Sequence, residues 1–167
     1  MKKACAVMMM AMILAAGCAK KPVKKEAAPQ QPIVPGAEDT LKDEPSIRFT
    51  DWQRMTELKI VNFDYDKSDL TATARQLLQQ NADFLKKHDE VMVLVEGHCD
   101  ERGTTEYNLA LGQRRAMMVR EYYGKLGVPL SQVGTISYGK EKPTDERHTE
   151  EAWALNRRAE TKVRARR

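Results

Sequence analysis

Apolar residues between position 57 and the C-terminus fall into short continuous runs that alternate with longer stripes at helical spacing. A short run of apolar and β-branched residues predicts a strand, and apolar residues three or four positions apart predict a helix. The pattern predicts strands over 57–65, 91–95, 133–138 and 158–165, and helices over about 68–87, 105–126 and 149–157. Strands that alternate with helices are typical of an α/β fold.

Both long predicted helices have one apolar face and recognisable ends. Ser68 or Asp69 can cap the first helix, because a side-chain oxygen there accepts a hydrogen bond from a free backbone N–H. The buried face of that helix is predicted to comprise Leu70, Ala74, Leu77, Leu78, Ala82 and Leu85. In the second helix Arg115 lies on the apolar stripe, and Gly127 follows as the C-terminal cap. A charge on that stripe needs a partner, and Asp100 is the nearest candidate.

The first 17 residues form a basic and then apolar segment that precedes a cysteine. Lys2 and Lys3 are followed by roughly 12 apolar residues, too few to span a bilayer as a helix but typical of a secretory signal. Small residues directly before Cys18 resemble the acylation signal of bacterial lipoproteins, which predicts cleavage there and a lipid on Cys18. In such lipoproteins Ala19, standing where Asp would retain the protein in the inner membrane, implies sorting to the outer membrane. The alternative is ordinary cleavage near Ala16, which would leave Cys18 as a free thiol.

Residues 18–55 are predicted to form a lipidated cysteine and a linker, and residues 56–167 the folded domain. From Lys20 to Pro45 the sequence is rich in Pro, Ala, Gln and Lys and has no apolar period, so it cannot bury enough surface to offset its ordering entropy. A Pro-rich segment extends by up to about 3 Å per residue, which can hold a domain well clear of a membrane. Residues 47–55 are predicted to be a partly ordered lead-in.

Charge argues against a nucleic-acid-binding protein, and cysteine usage argues against a protein held together by disulfides. The chain has 28 Lys and Arg residues against 24 Asp and Glu residues, and removal of Lys2 and Lys3 with the signal brings these numbers close to balance. Nucleic-acid binding needs a basic stripe, and only residues 157–167 resemble one. The three cysteines, Cys5, Cys18 and Cys99, are too few and too scattered for a disulfide framework.

Residues 93–119 combine an apolar strand, a polar loop and the start of a helix. This order builds a site at the end of a sheet, because loops that follow strands line the crevices of α/β folds. Asp100, Glu101 and Arg102 stand together in the loop, and the helix adds Arg115. Arg can form paired hydrogen bonds with a carboxylate and Asp can accept from an ammonium, so this site suits a ligand that carries both groups.

Several segments of the chain together resemble one known family. The resembling residues are Glu96-Gly97-His98, Asp100-Glu101-Arg102-Gly103-Thr104, Glu106-Tyr107-Asn108, Leu111-Gly112, Arg114-Arg115-Ala116 and Val119, with Phe63-Asp64-Tyr65-Asp66-Lys67 before them and Ser137-Tyr138-Gly139-Lys140-Glu141-Lys142-Pro143 and Asn156-Arg157-Arg158-Ala159 after them. In this order they resemble the OmpA-like C-terminal domain family over about two thirds of the chain. The resemblance implies an α/β two-layer sandwich, in which two long helices and a short one pack on a mixed four-stranded sheet.

The resemblance also implies what the site binds. In the family the residues that match Asp100 and Arg115 hold the amine and the carboxylate of diaminopimelate in the peptidoglycan stem peptide. In its lipoprotein branch, the residues that match Arg102 and the turn Tyr65-Asp66 touch the same peptide. The predicted peptidoglycan-binding residues are Tyr65, Asp66, Asp100, Arg102, Thr104, Asn108 and Arg115.

A lipoprotein of this kind would tether the outer membrane to the cell wall, in envelope integrity and cell division, without catalysis and without a cofactor. Lysine-type walls lack the second carboxylate that the arginine would bind, which predicts selectivity for meso-diaminopimelate. The family implies partners from the Tol system, chiefly TolB, that compete for this surface or bind near it.

Other interpretations assign different chemistry to the same loop. A cell-wall hydrolase could use Glu96, Asp100 or Glu101, although neighbouring arginines lower carboxylate pKa values and weaken a general acid. A Cys99–His98 dyad is disfavoured because adjacent residues of a strand point to opposite faces. A zinc site would have to combine His98, Cys99, Asp100 and His148. Finally, a wall-binding domain of a motor stator or a secretion assembly would share these motifs.

Overall fold

A computed structural model describes residues 47–166 of the chain. The predicted signal, the lipidation site at Cys18 and the linker up to Pro45 lie outside the described residues. The elements are, in order, β1 (Gln53–Arg54), β2 (Val61–Asn62), α1 (Ala72–Leu85), β3 (Val91–His98), α2 (Thr105–Lys125), a 3-10 turn (Leu130–Gln132), β4 (Val133–Gly139), α3 (Glu150–Asn156) and β5 (Arg158–Ala165). None of the described helices has the length and apolar character needed to cross a membrane.

The strands form one mixed sheet in the order β1-β5-β3-β4, and β2 also pairs with β5. β4 runs parallel to β3, whereas β1, β2 and β3 all run antiparallel to β5. Because β2 and β3 therefore share one direction, the loops that follow them lie at the same end of the sheet. The predicted α/β class with a mixed sheet is confirmed.

The first edge strand is interrupted, in contrast to the continuous strand expected over 57–65. β1 and β2 pair with opposite ends of β5, and the chain between them lies outside the ladder. Asn81 of α1 accounts for this break, because its side-chain amide accepts from the N–H of Lys59 at 2.7 Å and donates to the C=O of Lys59 at 2.8 Å. The sheet consequently has five strands instead of the expected four, and one of them lies in the predicted lead-in.

α1 begins later than the sequence indicated. Thr71 is the N-cap in place of Ser68 or Asp69, and its hydroxyl accepts from the N–H of Ala74 at 3.1 Å. Asp66, in the turn before it, adopts a left-handed φ of 57°. The limits of α2 agree with the prediction to within one residue at its C-terminal end.

α1 and α2 cover one face of the sheet, and the core lies between these helices and the strands. Its buried members include Leu58, Val61, Leu78, Ala82, Val93, Val95, Ala116, Val119, Val133 and Val163. Tyr123 of α2 is also fully buried there, and its hydroxyl meets Thr161 at 2.8 Å and Asn81 at 3.2 Å. Burial raises the pKa of Tyr123 to about 12, so the phenol stays neutral inside the core.

Two glycines allow α2 to lie very close to the sheet. A Cβ atom on Gly97 of β3 would stand 1.9 Å from the carbonyl oxygen of Gly112, and one on Gly112 would stand 2.3 Å from the hydroxyl of Ser137. Side chains at these two positions would therefore force the helix away from the strands. The close approach also places Arg115, three residues after Gly112, near the strands of the sheet.

We expect Gly97→Ala to lower the free energy of unfolding by about 3 kcal/mol, because the methyl group would meet helix backbone that cannot move alone. Gly124→Ala is the matched control. Its new methyl group would meet the mobile end of Leu130, and Ala favours a helix over Gly, so stability should change little. Urea unfolding of both variants measures the difference, and equal stabilities would contradict the proposed close contact.

Candidate functional site

The loop after β2 and the loop after β3 meet at one end of the sheet, as the strand directions require. Arg102 of the second loop places its guanidinium 4.0 Å from the ring centroid of Tyr65 in the first. Asp66, also in the first loop, accepts a hydrogen bond from the hydroxyl of Tyr107 in α2. The structure therefore brings the predicted residues of both loops to one place.

Arg115 lies beneath both loops and is fully buried. Its guanidinium donates to three backbone carbonyls, those of Asp64 (3.1 Å), Lys67 (2.9 Å) and His98 (2.8 Å). Burial lowers the pKa of Arg115 from its usual value, and the carbonyl dipoles supply the compensating hydrogen bonds. The expected ion pair between Arg115 and Asp100 is wrong, because loop carbonyls already satisfy the donors of this guanidinium.

Asp100 has two arginines as partners. Its Oδ1 accepts from the backbone N–H of Arg102 at 3.1 Å, and its Oδ2 accepts from Arg102 Nη2 at 2.7 Å and from Arg157 Nη1 at 3.3 Å. Burial by itself raises the pKa of Asp100, but the hydrogen bonds from both arginines outweigh it and the net pKa is lowered. Asp100 is therefore an ionised hydrogen-bond acceptor at neutral pH, which suits a cationic ligand group.

Arg102 stands in an aromatic slot at the rim of the site. Its guanidinium carbon lies 4.0 Å from the ring centroid of Tyr65 and 4.3 Å from that of Trp153 in α3. Stacking of this kind is favourable for the planar and weakly hydrated guanidinium. The Arg102 side chain is 30% exposed, so it is the guanidinium of this site that solvent and a ligand can reach.

Thr104 and Asn108 stabilise the second loop through hydrogen bonds to its own backbone and to the start of α2. The Thr104 hydroxyl accepts from the N–H of Tyr107 at 3.2 Å and caps α2. Asn108 is buried, and its amide nitrogen donates to the carbonyl of Arg102 at 2.9 Å. Both side chains thus hold the loop conformation that presents Asp100 and Arg102.

Three further residues of the site were not predicted. Arg157 binds Asp100, and Trp153 and Glu150 of α3 contact Arg102. Arg157 lies in segment 156–159, which resembles the family, but no role in the site was predicted for it. α3 folds beside the loops only through tertiary contacts, so nothing in the local sequence marks Trp153 or Glu150 as neighbours of Asp100.

Cys99 and His98 do not form a dyad. The Cys99 thiol donates to the carbonyl of Asn108 at 3.3 Å, and burial raises its pKa, which disfavours the nucleophilic thiolate. The His98 ring instead stacks on Tyr138 of β4 with 5.5 Å between centroids. Within the described part of the chain, no group of three or more His, Cys, Asp or Glu residues could hold a metal ion.

Replacement of Arg115 should disturb folding as well as binding. We expect Arg115→Met to lower the free energy of unfolding by about 3 kcal/mol, because three loop carbonyls lose their donor in a buried place. Arg114→Met is the neighbouring control, since Arg114 is partly exposed and only approaches the Tyr107 ring at 6.0 Å. Thermal and urea unfolding of both variants test this expectation, which equal stability of the two would contradict.

The chain is similar to curated proteins named peptidoglycan-associated lipoprotein. It is 50% identical over 99 residues to the protein from Agrobacterium fabrum, and the alignment covers 59% of this chain and 56% of that relative. It is 50% identical over 99 residues to the protein from Haemophilus influenzae, with 59% and 65% covered. For the protein from Pseudomonas aeruginosa the identity is 50% over 100 residues, with 60% and 59% covered. The chain thus spans less than two thirds of the length of each relative.

Solved structures share the fold. The crystal structure of the peptidoglycan-associated lipoprotein from Burkholderia pseudomallei has a TM-score of 0.61 and 46% identity, covering 64% of this chain and 90% of that chain. The C-terminal domain of Helicobacter pylori MotB has a TM-score of 0.61 at 20% identity, covering 64% of this chain and 84% of that chain, and this likeness concerns the fold alone. The OmpA family matches residues 62–157, more than half of the chain. The resemblance found in the sequence is confirmed, and the chain belongs to the OmpA family.

Proposed function

We propose that this domain binds peptidoglycan without covalent chemistry and anchors an envelope lipoprotein to the cell wall. The observation that carries the proposal is the pairing of an ionised acceptor, Asp100, with an accessible guanidinium, Arg102, where two loops meet. The relatives that share this stretch at about half identity are named peptidoglycan-associated lipoproteins.

The ligand that fits the site best is the diaminopimelate of the stem peptide. Its D-centre carries an ammonium, for which Asp100 is the complement, and a carboxylate, for which guanidinium groups are the complement. Arg102 supplies an accessible guanidinium, and the buried Arg115 adds positive potential below both loops. Tyr65 is more than half exposed at the rim and offers an apolar surface to the peptide backbone.

A hydrolase in the same place has weaker support. The pKa of Asp100 is lowered on balance, and hydrogen bonds from His148 and Trp153 lower the pKa of Glu101. Burial raises the pKa of Glu96, but the neighbouring His98 ring at 3.8 Å and the ion pair with Lys162 at 2.8 Å more than offset that effect. None of these carboxyl groups is held protonated at neutral pH, as a general acid for glycoside or amide cleavage would need to be.

The proposed role in the cell combines a lipid on Cys18 with the wall-binding domain. A lipid on Cys18 would hold the N-terminus in the outer membrane, and the domain would face the periplasm and grip the wall. The family resemblance adds a place in the Tol–Pal system during cell division, with TolB as a partner that competes for the site or binds near it. If TolB competes for the site, TolB and the wall would be alternative ligands of one surface.

Asp100→Asn should abolish most binding to isolated sacculi with diaminopimelate-type walls. Loss of one partner of a hydrogen-bonded charge pair typically weakens binding by about 30-fold or more. Asp89→Asn is the control, because Asp89 is exposed and precedes β3 at the other end of the sheet. Co-sedimentation below the melting temperature measures binding, and the wild-type domain should bind lysine-type sacculi much more weakly.

The same incubation separates binding from hydrolysis. The supernatant should contain no muropeptides above those of sacculi alone when it is resolved by chromatography. Release of muropeptides that Asp100→Asn abolishes would overturn the binding function, and full sacculus binding by a folded Asp100→Asn variant would show that the site lies elsewhere.

Cys18→Ser should move the protein from the membrane fraction to the soluble fraction, because the proposed lipid anchor depends on that sulfur. The domain should keep its melting temperature, since residue 18 lies far outside it in sequence. Mass spectrometry of the wild-type protein extracted from membranes should show an acylated N-terminal cysteine. An unmodified wild-type protein in the soluble periplasmic fraction would contradict the anchor.

A further inference from the structure

Four charged side chains form a closed ring beside the proposed ligand site. Asp100 Oδ2 lies 2.7 Å from Arg102 Nη2, and Arg102 Nη1 lies 3.5 Å from Glu150 Oε2. Glu150 Oε1 lies 2.9 Å from Arg157 Nη2, and Arg157 Nη1 lies 3.3 Å from Asp100 Oδ2. Two guanidinium groups thus share two carboxylates, so each arginine has a second carboxylate available if it leaves the first.

An incoming ammonium would meet a carboxylate that is already partly occupied. Asp100 Oδ2 accepts from two guanidinium groups, and Oδ1 accepts from the backbone N–H of Arg102. An ammonium on this carboxylate would lie close to both guanidinium groups, and their repulsion favours the withdrawal of one of them. In the free protein, Arg102 and Arg157 therefore compete with a ligand ammonium for Asp100.

Arg157 is not the group that can withdraw. Its side chain is 9% exposed, and its Nε donates to the carbonyl of Phe63 at 3.2 Å. Its own backbone carbonyl accepts from the N–H of Phe63 at 2.9 Å, so both its backbone and its side chain are bound to Phe63, directly after β2. Any movement of Arg157 would pull on the loop that carries Tyr65 and Asp66.

Arg102 has the freedom that Arg157 lacks. Its side chain is 30% exposed, and among the described residues its buried Nε has no hydrogen-bond partner. The rings of Tyr65 and Trp153 lie on the guanidinium at 4.0 and 4.3 Å, and a planar group can slide along such faces without losing the stacking. Glu150 is 58% exposed and lies farther from Arg102 than Asp100 does, so it can approach.

We propose that Arg102 fills the amine position on Asp100 in the free protein and transfers to Glu150 when a ligand ammonium arrives. This inference rests on the proposed binding of the diaminopimelate stem peptide. It makes Glu150 a positioning residue that never touches the ligand. It also makes the site selective, since a ligand without an ammonium cannot take the place of Arg102 on Asp100. Occupation by Arg102 lowers the apparent affinity by the fraction of molecules in which Asp100 is covered.

The test is a double-mutant cycle that combines Glu150→Gln with Arg102→Ala, measured by calorimetry with a soluble disaccharide-tripeptide that ends in meso-diaminopimelate. We expect Glu150→Gln to weaken binding about 5-fold in the wild-type background, because Arg102 then has no second carboxylate. In the Arg102→Ala background the same substitution should change affinity by less than about twofold. Glu151→Gln, in the same turn of α3, controls for charge at the helix start and should have little effect in either background.

Tryptophan fluorescence gives an independent readout, because Trp153 stacks on the group that moves. The chain has two tryptophans, so Trp52→Phe isolates the signal of Trp153. The tripeptide should change this fluorescence, and a tripeptide acetylated on the D-centre amine should not. Melting curves confirm that each variant is folded before binding is compared.

The outcomes separate this inference from the function on which it rests. If Asp100→Asn loses binding while Glu150→Gln acts equally in both backgrounds, or has no effect, the transfer of Arg102 is refuted and the peptidoglycan site stands. An effect of Glu150→Gln that persists with Arg102→Ala would mean that Glu150 acts on the ligand directly or through its ion pair with Arg157, and not through Arg102. Retention of binding by a folded Asp100→Asn variant would overturn both proposals.

Discussion

The arrangement of this domain depends on one buried guanidinium. Arg115 binds the carbonyls of Asp64, Lys67 and His98, so a single side chain of α2 holds both loops at the end of the sheet. Burial of a charge is costly, and only a full set of hydrogen bonds offsets that cost. The loops must therefore keep the conformation that directs these carbonyls inward. The contact between Gly97 and Gly112 brings α2 close enough for Arg115 to reach them.

Above Arg115, the site combines buried groups with one partly exposed group. Arg157 joins Phe63, which follows β2, to Asp100 through side-chain and backbone bonds, and Asn108 holds the carbonyl of Arg102. These buried contacts hold the acceptor Asp100 in place. The Arg102 side chain, by contrast, rests between two aromatic faces at the rim and keeps access to solvent. Under the proposed function, the fixed Asp100 would receive the ligand ammonium and Arg102 would adjust to make room for it.

Much of this could be predicted from the sequence because the signals are local. The apolar periods located both long helices, β3, β4 and β5, and the strand–loop–helix stretch placed Asp100 and Arg102 at the end of a strand. The interruption of the edge strand could not be predicted, because Asn81 reaches Lys59 from another element. The cap at Thr71 was missed because Ser68, Asp69 and Thr71 all have side chains that can cap a helix, and the sequence does not distinguish them.

The fold class and the loop that carries the charges could be derived from the amino-acid sequence, because they depend on the spacing of apolar and polar residues. The family was identified from matching motifs in the same order along the chain. Which charges meet depends on the three-dimensional fold. Asp100 pairs with Arg102 and Arg157 instead of Arg115, and Glu150 and Trp153 complete the site from a helix about 50 residues away. The partners of a buried charge depend on distances in the folded protein and on which carbonyls face inward. The spacing of residues along the sequence predicts neither.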